Sequence, residues 1–145
     1  METSGSKVNA VVDTNVVAYY LLGTEPQAGE CREFWKQIAE VAAPTSWQAE
    51  IVSVLWMAVK KKVITPDESV TKLQAAGRLG IQAVSLRQLW RGALVRSIRS
   101  GISPYDILFV ELAFRRKTKL ATFDAQLLHT FPDIAKPPSA FFQSG

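Results

Sequence analysis

The chain has 145 residues, of which 48% are hydrophobic and 21% charged, and its formal net charge is +4. This balance fits one soluble globular domain with a buried core. The apolar run Val54–Val59 is far shorter than the roughly 20 residues that span a bilayer, so no membrane segment is expected. One cysteine excludes an internal disulfide, and one histidine excludes a His-rich zinc site.

The first third of the chain predicts a strand followed by two helices. The β-branched run 8–12 predicts a buried strand that ends at Asp13. A helix is predicted over 15–22, closed by Gly23. A second helix is predicted over 27–40, because apolar residues recur there at helical spacing.

The middle of the chain continues the alternation. A brief strand is predicted over 41–43, after which Pro44 with Thr45 or Ser46 opens the helix that carries Glu50. Residues 65–68 (TPDE) combine capping-box spacing with proline at the first helical position. This pattern predicts a helix from there to about Gly80.

The last third predicts three more strands and three more helices. The predicted strands are 81–84, 119–122 and an edge strand at 140–142, and the predicted helices are 86–100, 107–115 and 124–129. Strands alternating with helices are typical of an α/β sandwich with a mostly parallel central sheet. We expect a single domain over 8–142, a flexible leader over 1–7 and a tail over 143–145. Without a secretory signal or a second thiol, a reducing cytoplasm is the expected location.

Four acidic residues fall where such a sheet places its ligands. Asp13 and Asp124 follow predicted strands, whereas Asp106 and Glu50 lie in the first turns of helices. Ligands of an open parallel sheet bind beyond the carboxyl ends of its strands. Four carboxylates from four separate elements are therefore predicted to converge.

Helix capping is an alternative explanation for three of these acids. Asp13 and Asp124 suit N-caps, and Asp106 suits the reciprocal position of a capping box. Glu50 has no such role, and no basic residue lies one turn away from it. A carboxylate on an apolar helix needs a cation or water, and a bound metal ion would supply the cation.

The residue types favour a hard cation and phosphoryl chemistry. Carboxylates without His or Cys suit Mg²⁺ or Mn²⁺, as one ion or two, which activate water and neutralise charge on a phosphodiester. Basic residues cluster outside this set: Lys60, Lys61, Lys62; Arg87, Arg91, Arg96, Arg99; Arg115, Arg116, Lys117, Lys119. A basic surround of this kind binds a nucleic-acid backbone.

Four segments in this order resemble the acidic motifs of PIN-domain ribonucleases. They are VVDTNV (11–16), AEIVSVL (49–55), SPYDILFVELA (103–113) and LATFDAQL (120–127). The size and layout are similar to the VapC-type toxins of prokaryotic toxin–antitoxin pairs. The resemblance covers roughly residues 8–142.

The resemblance implies a Mg²⁺- or Mn²⁺-dependent endoribonuclease with a PIN-like α/β/α fold. The implied catalytic residues and metal ligands are Asp13, Glu50, Asp106 and Asp124, and the implied supporting residues, which orient them, are Asn15 and Thr122. The resemblance also implies an RNA substrate, a homodimer and a small antitoxin protein as partner. Apolar surface around Trp35, Trp47, Trp56 and Trp90 is a candidate for such contacts, although aromatic residues at helical spacing are more often core.

Three other functions are compatible with parts of this pattern. A phosphoacceptor receiver domain also gathers acids at strand ends, but Thr14 follows Asp13 where that class needs a second acid. A PIN module that binds RNA or protein without hydrolysis, and a housekeeping PIN nuclease, share the predicted fold. Activity measurements and the neighbouring genes separate them from a toxin.

Overall fold

The computed structural model describes residues 8–142, which contain five β-strands and seven α-helices. The strands are β1 (Val8–Val12), β2 (Ile38–Pro44), β3 (Ile81–Val84), β4 (Lys119–Ala121) and β5 (Ala135–Lys136). The helices are α1 (Thr14–Leu22), α2 (Gln27–Gln37), α3 (Ser46–Lys60), α4 (Pro66–Gly77), α5 (Leu86–Ser100), α6 (Pro104–Arg116) and α7 (Ala125–Thr130). A 3₁₀ turn over Pro138–Phe141 follows them.

The five strands form one sheet in the order β3-β2-β1-β4-β5, and every neighbouring pair is parallel. The central strand β1 is buried from Ala10 onward, as expected for a strand covered on both faces. This confirms the predicted α/β/α fold with a parallel central sheet. All carboxyl ends of the strands therefore meet at one edge.

Helix α6 is the most buried helix and packs against the centre of the sheet. Its residues from Ile107 to Ala113 are all buried, and it contacts β1, β2 and β4. Its apolar run is what a helix inserted between a sheet and another layer requires. The position of Asp106 near its start is thereby fixed relative to β1.

Several predicted helix boundaries are confirmed. Thr65 and Glu68 form the capping box that opens α4, with hydrogen bonds of 3.1 and 2.7 Å. Gly101 adopts the left-handed conformation with φ of 76° and closes α5. Only glycine takes this conformation without a steric penalty, so it stops the helix where the sequence predicts.

The predicted helix over 27–40 is wrong at its end. Helix α2 stops at Gln37, and Ile38 begins β2 without an intervening loop. Ile38 pairs with Val8 in the sheet, so strand pairing overrides the helical spacing of the apolar residues. The strand predicted over 41–43 is correspondingly longer.

The predicted edge strand at 140–142 is also wrong. The edge strand β5 lies earlier and pairs with Leu120 through Ala135, whereas residues 138–141 form the 3₁₀ turn. Pro137 and Pro138 have no backbone N–H to donate to a ladder, which explains the end of pairing. The predicted leader (1–7) and tail (143–145) lie outside the described residues. No helix within 8–142 has the length and hydropathy to cross a membrane.

Candidate functional site

One cleft of about 540 Å³ at the carboxyl edge of the sheet is lined by all four predicted acids. Asp13 connects β1 to α1, and Asp124 precedes α7 just beyond β4. Glu50 is the fifth residue of α3, and Asp106 is the third of α6. The structure thus brings together the four predicted site residues from four separate elements.

Asp13 is buried at the base of this cleft and is held by neutral hydrogen-bond donors. The Thr122 hydroxyl donates to its Oδ2 at 2.8 Å, and the Asn15 amide donates to the same oxygen at 3.4 Å. Asp13 occupies the N-cap position of α1 but makes no side-chain capping hydrogen bond. Capping therefore does not explain this carboxylate.

The environment of Asp13 favours its neutral form. Burial raises its pKa to about 7, and the hydrogen bond from Thr122 opposes that rise. The negative charges of Asp106 and Glu50 push the pKa further upward. Asp106 and Glu50 are thus close enough to Asp13 for their charges to raise its pKa.

Glu50 is half-buried, and its partner is a hydroxyl rather than a cation. The Thr14 hydroxyl donates to Glu50 Oε1 at 2.6 Å. Burial raises the pKa of Glu50, the Thr14 hydrogen bond lowers it, and the charge of Asp106 raises it. The sequence analysis did not identify Thr14 as a partner of Glu50. The only signal for it in the sequence is its position next to Asp13, at the start of the helix that faces α3.

Asp106 and Asp124 differ in whether capping accounts for them. Asp124 is the N-cap of α7 and accepts a hydrogen bond from the Leu127 backbone N–H at 3.1 Å. Asp106 has no such role, because the Ser103 hydroxyl caps α6 by accepting from the Tyr105 N–H. Burial raises the pKa of Asp106, and the charge of Asp124 adds to that rise.

Asn15 and Thr122 form one network beneath the acids. The Asn15 amide also donates to Thr122 Oγ1 at 3.3 Å, and its Oδ1 accepts from the Phe123 N–H at 3.2 Å. Thr122 Oγ1 accepts from the Asp124 N–H at 3.0 Å while donating to Asp13. The hydrogen bonds of Asn15 and Thr122 therefore connect Asp13 to the loop that carries Asp124. Residues that orient these two carboxylates would have to lie at this position.

The cleft has an acidic side and a more apolar side. Its lining within the described residues includes no lysine, arginine or histidine. Ala18, Tyr19, Leu22 and Val54 line the apolar side, and the Tyr19 ring packs edge-on against Phe123 with centroids 5.1 Å apart. Sequence reasoning missed Tyr19, whose helical spacing resembles that of core residues.

The acids line the cleft without forming a preassembled metal shell. Within residues 8–142 no three His, Cys, Asp or Glu side chains are already gathered as a metal-binding group. The donor set nevertheless consists of carboxylate oxygens, which are the ligands that Mg²⁺ and Mn²⁺ prefer.

The four tryptophans, the candidates for partner contacts, divide between the core and the surface. Trp47 is buried in the core and Trp35 is partly buried. Trp56 and Trp90 are more than half exposed, at 57% and 55%. Only these two are available for contacts with another molecule.

Comparisons with known proteins agree with this architecture. Residues 10–135 match the PIN domain family. The chain is 24% identical over 129 residues to Ribonuclease VapC3 of Pyrobaculum aerophilum, covering 88% of this chain and 98% of that protein. It also resembles a chain in the crystal structure of VapBC2 from Rickettsia felis bound to a DNA fragment from their promoter, with a TM-score of 0.63 and 13% identity. That match covers 90% of this chain and 98% of the other. The family match spans most of the chain, and the chain belongs to the PIN-domain family.

Proposed function

We propose that this protein is a metal-dependent endoribonuclease and the toxin of a toxin–antitoxin pair. One observation carries the proposal: four carboxylates from separate elements line one cleft whose lining, within the described residues, has no basic side chain. Such a cleft repels anions by itself, so an anionic substrate requires a bound cation there.

The residues present fit a magnesium or manganese site of one or two ions. Asp13, Glu50, Asp106 and Asp124 would hold the metal through carboxylate oxygens. Bound Mg²⁺ or Mn²⁺ would activate a water molecule and offset charge on the phosphodiester oxygens. Burial is the main cause of the raised pKa values of Asp13, Glu50 and Asp106, and a bound cation would offset the smaller rise that comes from the neighbouring acids.

The chain's own side chains would hold the acids in place. Thr122 and Asn15 orient Asp13, and Thr14 orients Glu50, each through a hydrogen bond to a carboxylate oxygen. Asp124 is fixed at the start of α7 by the Leu127 N–H. Hydrogen bonds of this kind commonly set the orientation and affinity of metal ligands.

RNA is the proposed substrate, and a small antitoxin is the proposed partner. Ribonuclease VapC3 supports the activity, and the VapBC2 complex supports the partner, because both align with nearly the whole chain. We include a homodimer and a cytoplasmic location in the proposal. The exposed row of Trp90, Leu94 and Ile98 on α5 supports self-association, since these residues recur every four positions on one face.

Cleavage of single-stranded RNA tests the activity directly. Asp106→Asn should lower kcat at least about a hundredfold in Mg²⁺ or Mn²⁺, because several kcal/mol of charge stabilisation depends on the ligand set. Asp133→Asn, which changes an exposed acid outside the cleft lining, should match the wild type. Activity that persists in EDTA and in Asp106→Asn would overturn the metal proposal.

Growth and assembly measurements test the toxin assignment. Expression of the wild-type chain alone should arrest growth, and co-expression of a short protein encoded beside it should restore growth. Light scattering of the purified chain should give the mass of a dimer. RNA cleavage without growth arrest would indicate a housekeeping PIN nuclease, and RNA binding without cleavage would indicate a silent module.

A further inference from the structure

A second cavity, of about 640 Å³, lies between α5, α6 and the residue that follows α7. Four arginines and one acid line it: Arg91, Arg96, Arg99, Arg115 and Glu111. Four positive charges against one negative charge leave +3 in a single depression. This cavity shares no lining residue with the carboxylate cleft.

Glu111 orders two of the arginines. Its side chain is buried, Arg96 donates to Oε1 at 3.1 and 3.2 Å, and Arg115 donates to Oε2 at 2.7 Å. The Arg96 guanidinium also lies over the Phe114 ring, 4.7 Å from its centroid. Both oxygens of Glu111 are thus engaged, and the two guanidinium groups have defined positions.

Among the described residues, the other two arginines have no partner of this kind. Among residues 8–142, Arg91 and Arg99 form no ion pair and no side-chain hydrogen bond. Both are exposed and lie two turns apart on α5. Guanidinium groups present planar forks of N–H donors that match phosphate oxygens.

The cavity neighbours the carboxylate cleft through two shared helices. Asp106 and Glu111 are five residues apart on α6, which corresponds to about 7.5 Å along the axis and a rotation of about 140°. Helix α7 begins just after Asp124, which lines the cleft, and ends just before Phe131, which lines the cavity. The cavity and the cleft thus lie on different faces of α6, and RNA that extends beyond the cleft would have to pass around this helix to reach the arginines.

We infer that this cavity is a subsite for backbone phosphates of the RNA, beyond the linkage that is cleaved, with Arg91 and Arg99 as the phosphate ligands. The inference rests on the proposed function for its choice of RNA. The arrangement around Glu111 favours phosphate binding over a merely solvated basic face, because it fixes Arg96 and Arg115 in the cavity and leaves this trio with a net positive charge beside Arg91 and Arg99.

Binding to labelled single-stranded RNA in EDTA tests the subsite without cleavage. In an Asp13→Asn background, Arg91→Gln with Arg99→Gln should lower affinity about tenfold and reduce the salt slope by about 1.4, since each single-strand phosphate contact contributes about 0.7. The charge-matched control, Lys36→Gln with Arg78→Gln, changes two cations that lie just before β2 and β3, at the opposite edge of the sheet. It should change both quantities far less.

The possible results separate the subsite from the nuclease. Equal losses in both double variants, or no loss in either, would overturn the subsite while RNA cleavage by the wild type still supports the proposed function. Arginine-dependent RNA binding by a chain that cleaves no RNA would support the subsite and overturn the nuclease. Polyglutamate that displaces the labelled RNA as well as unlabelled RNA does at equal charge would show that the cavity does not prefer phosphates. That result would overturn the proposed ligand. In the active chain, the arginine variants should raise KM more than they lower kcat.

Discussion

Replacing Asp13 by asparagine should stabilise the metal-free protein, and the gain should grow with pH. Asp13 is buried beside two other acids, and its pKa is raised from 3.8 to about 7. Between about pH 4 and pH 7 the folded chain keeps a proton at Asp13 that the unfolded chain has released. The free energy of unfolding therefore falls as pH rises through this range, and it levels off above the folded pKa.

The size of the effect follows from the width of that window. Each unit of pKa difference corresponds to about 1.4 kcal/mol, so the wild type should lose about 2 to 3 kcal/mol between about pH 5 and pH 8 through Asp13 alone. Asparagine cannot ionise, and its side-chain oxygen can still accept from Thr122. The difference in unfolding free energy between Asp13→Asn and the wild type should therefore grow by that amount.

Urea denaturation in EDTA at a series of pH values measures this difference. Glu50 and Asp106 also have raised pKa values, so the variant should keep a shallower fall of the same sign. Asp133→Asn, at an exposed acid, should follow the wild-type curve. Wild-type and Asp13→Asn curves that run parallel from about pH 5 to pH 8 would refute the reasoning.

Two further predictions concern groups held by close contacts. Glu50→Gln should lower RNA cleavage at least about tenfold and leave the stability of the metal-free protein unchanged or improved. It removes one of four like charges and keeps an acceptor for the Thr14 hydroxyl. A large loss of stability in denaturation would instead assign Glu50 a structural role. Gly92→Ala should destabilise by about 2 kcal/mol or more, because a Cβ there collides with the Glu111 carboxylate. Gly77→Ala, in a helix with open space around its Cβ, should instead stabilise by up to about 1 kcal/mol, and thermal unfolding compares the two.

The fold was predictable wherever one physical signal acted alone. The capping box at Thr65 starts α4 and the left-handed Gly101 ends α5, both by local geometry, so the sequence predicts these boundaries correctly. Ile38 and Ala135 are different, because their strand pairing depends on partners at Val8 and Leu120. Local patterns contain no information about such distant partners, which is why the end of α2 and the edge strand were predicted wrongly.

The placement of the acids was predictable from topology, whereas their partners were not. A parallel sheet brings the ends of β1 and β4 to one edge, so Asp13 and Asp124 had to meet. Capping and site roles were indistinguishable by residue type, and only the hydrogen bonds show that Asp124 caps a helix while Asp13 does not. The bond from Thr14 to Glu50 joins residues 36 positions apart and has no sequence pattern of its own.

The two buried acids Glu111 and Asp13 differ in whether a cation is paired with them, and this difference concerns the function of the cleft. Both acids are buried, at 5% and 7% exposure, yet Glu111 has two arginines, whereas Asp13 has a hydroxyl, an amide and like-charged neighbours. An acid with paired cations is stabilised by the protein itself, so its charge is not available to a ligand. The charge of Asp13 is uncompensated among the described residues, and its hydrogen bonds orient it without neutralising it. The chain thus neutralises the buried acid between α5 and α6 and leaves Asp13 without a cationic partner among the described residues, which is the condition that the proposed metal site requires.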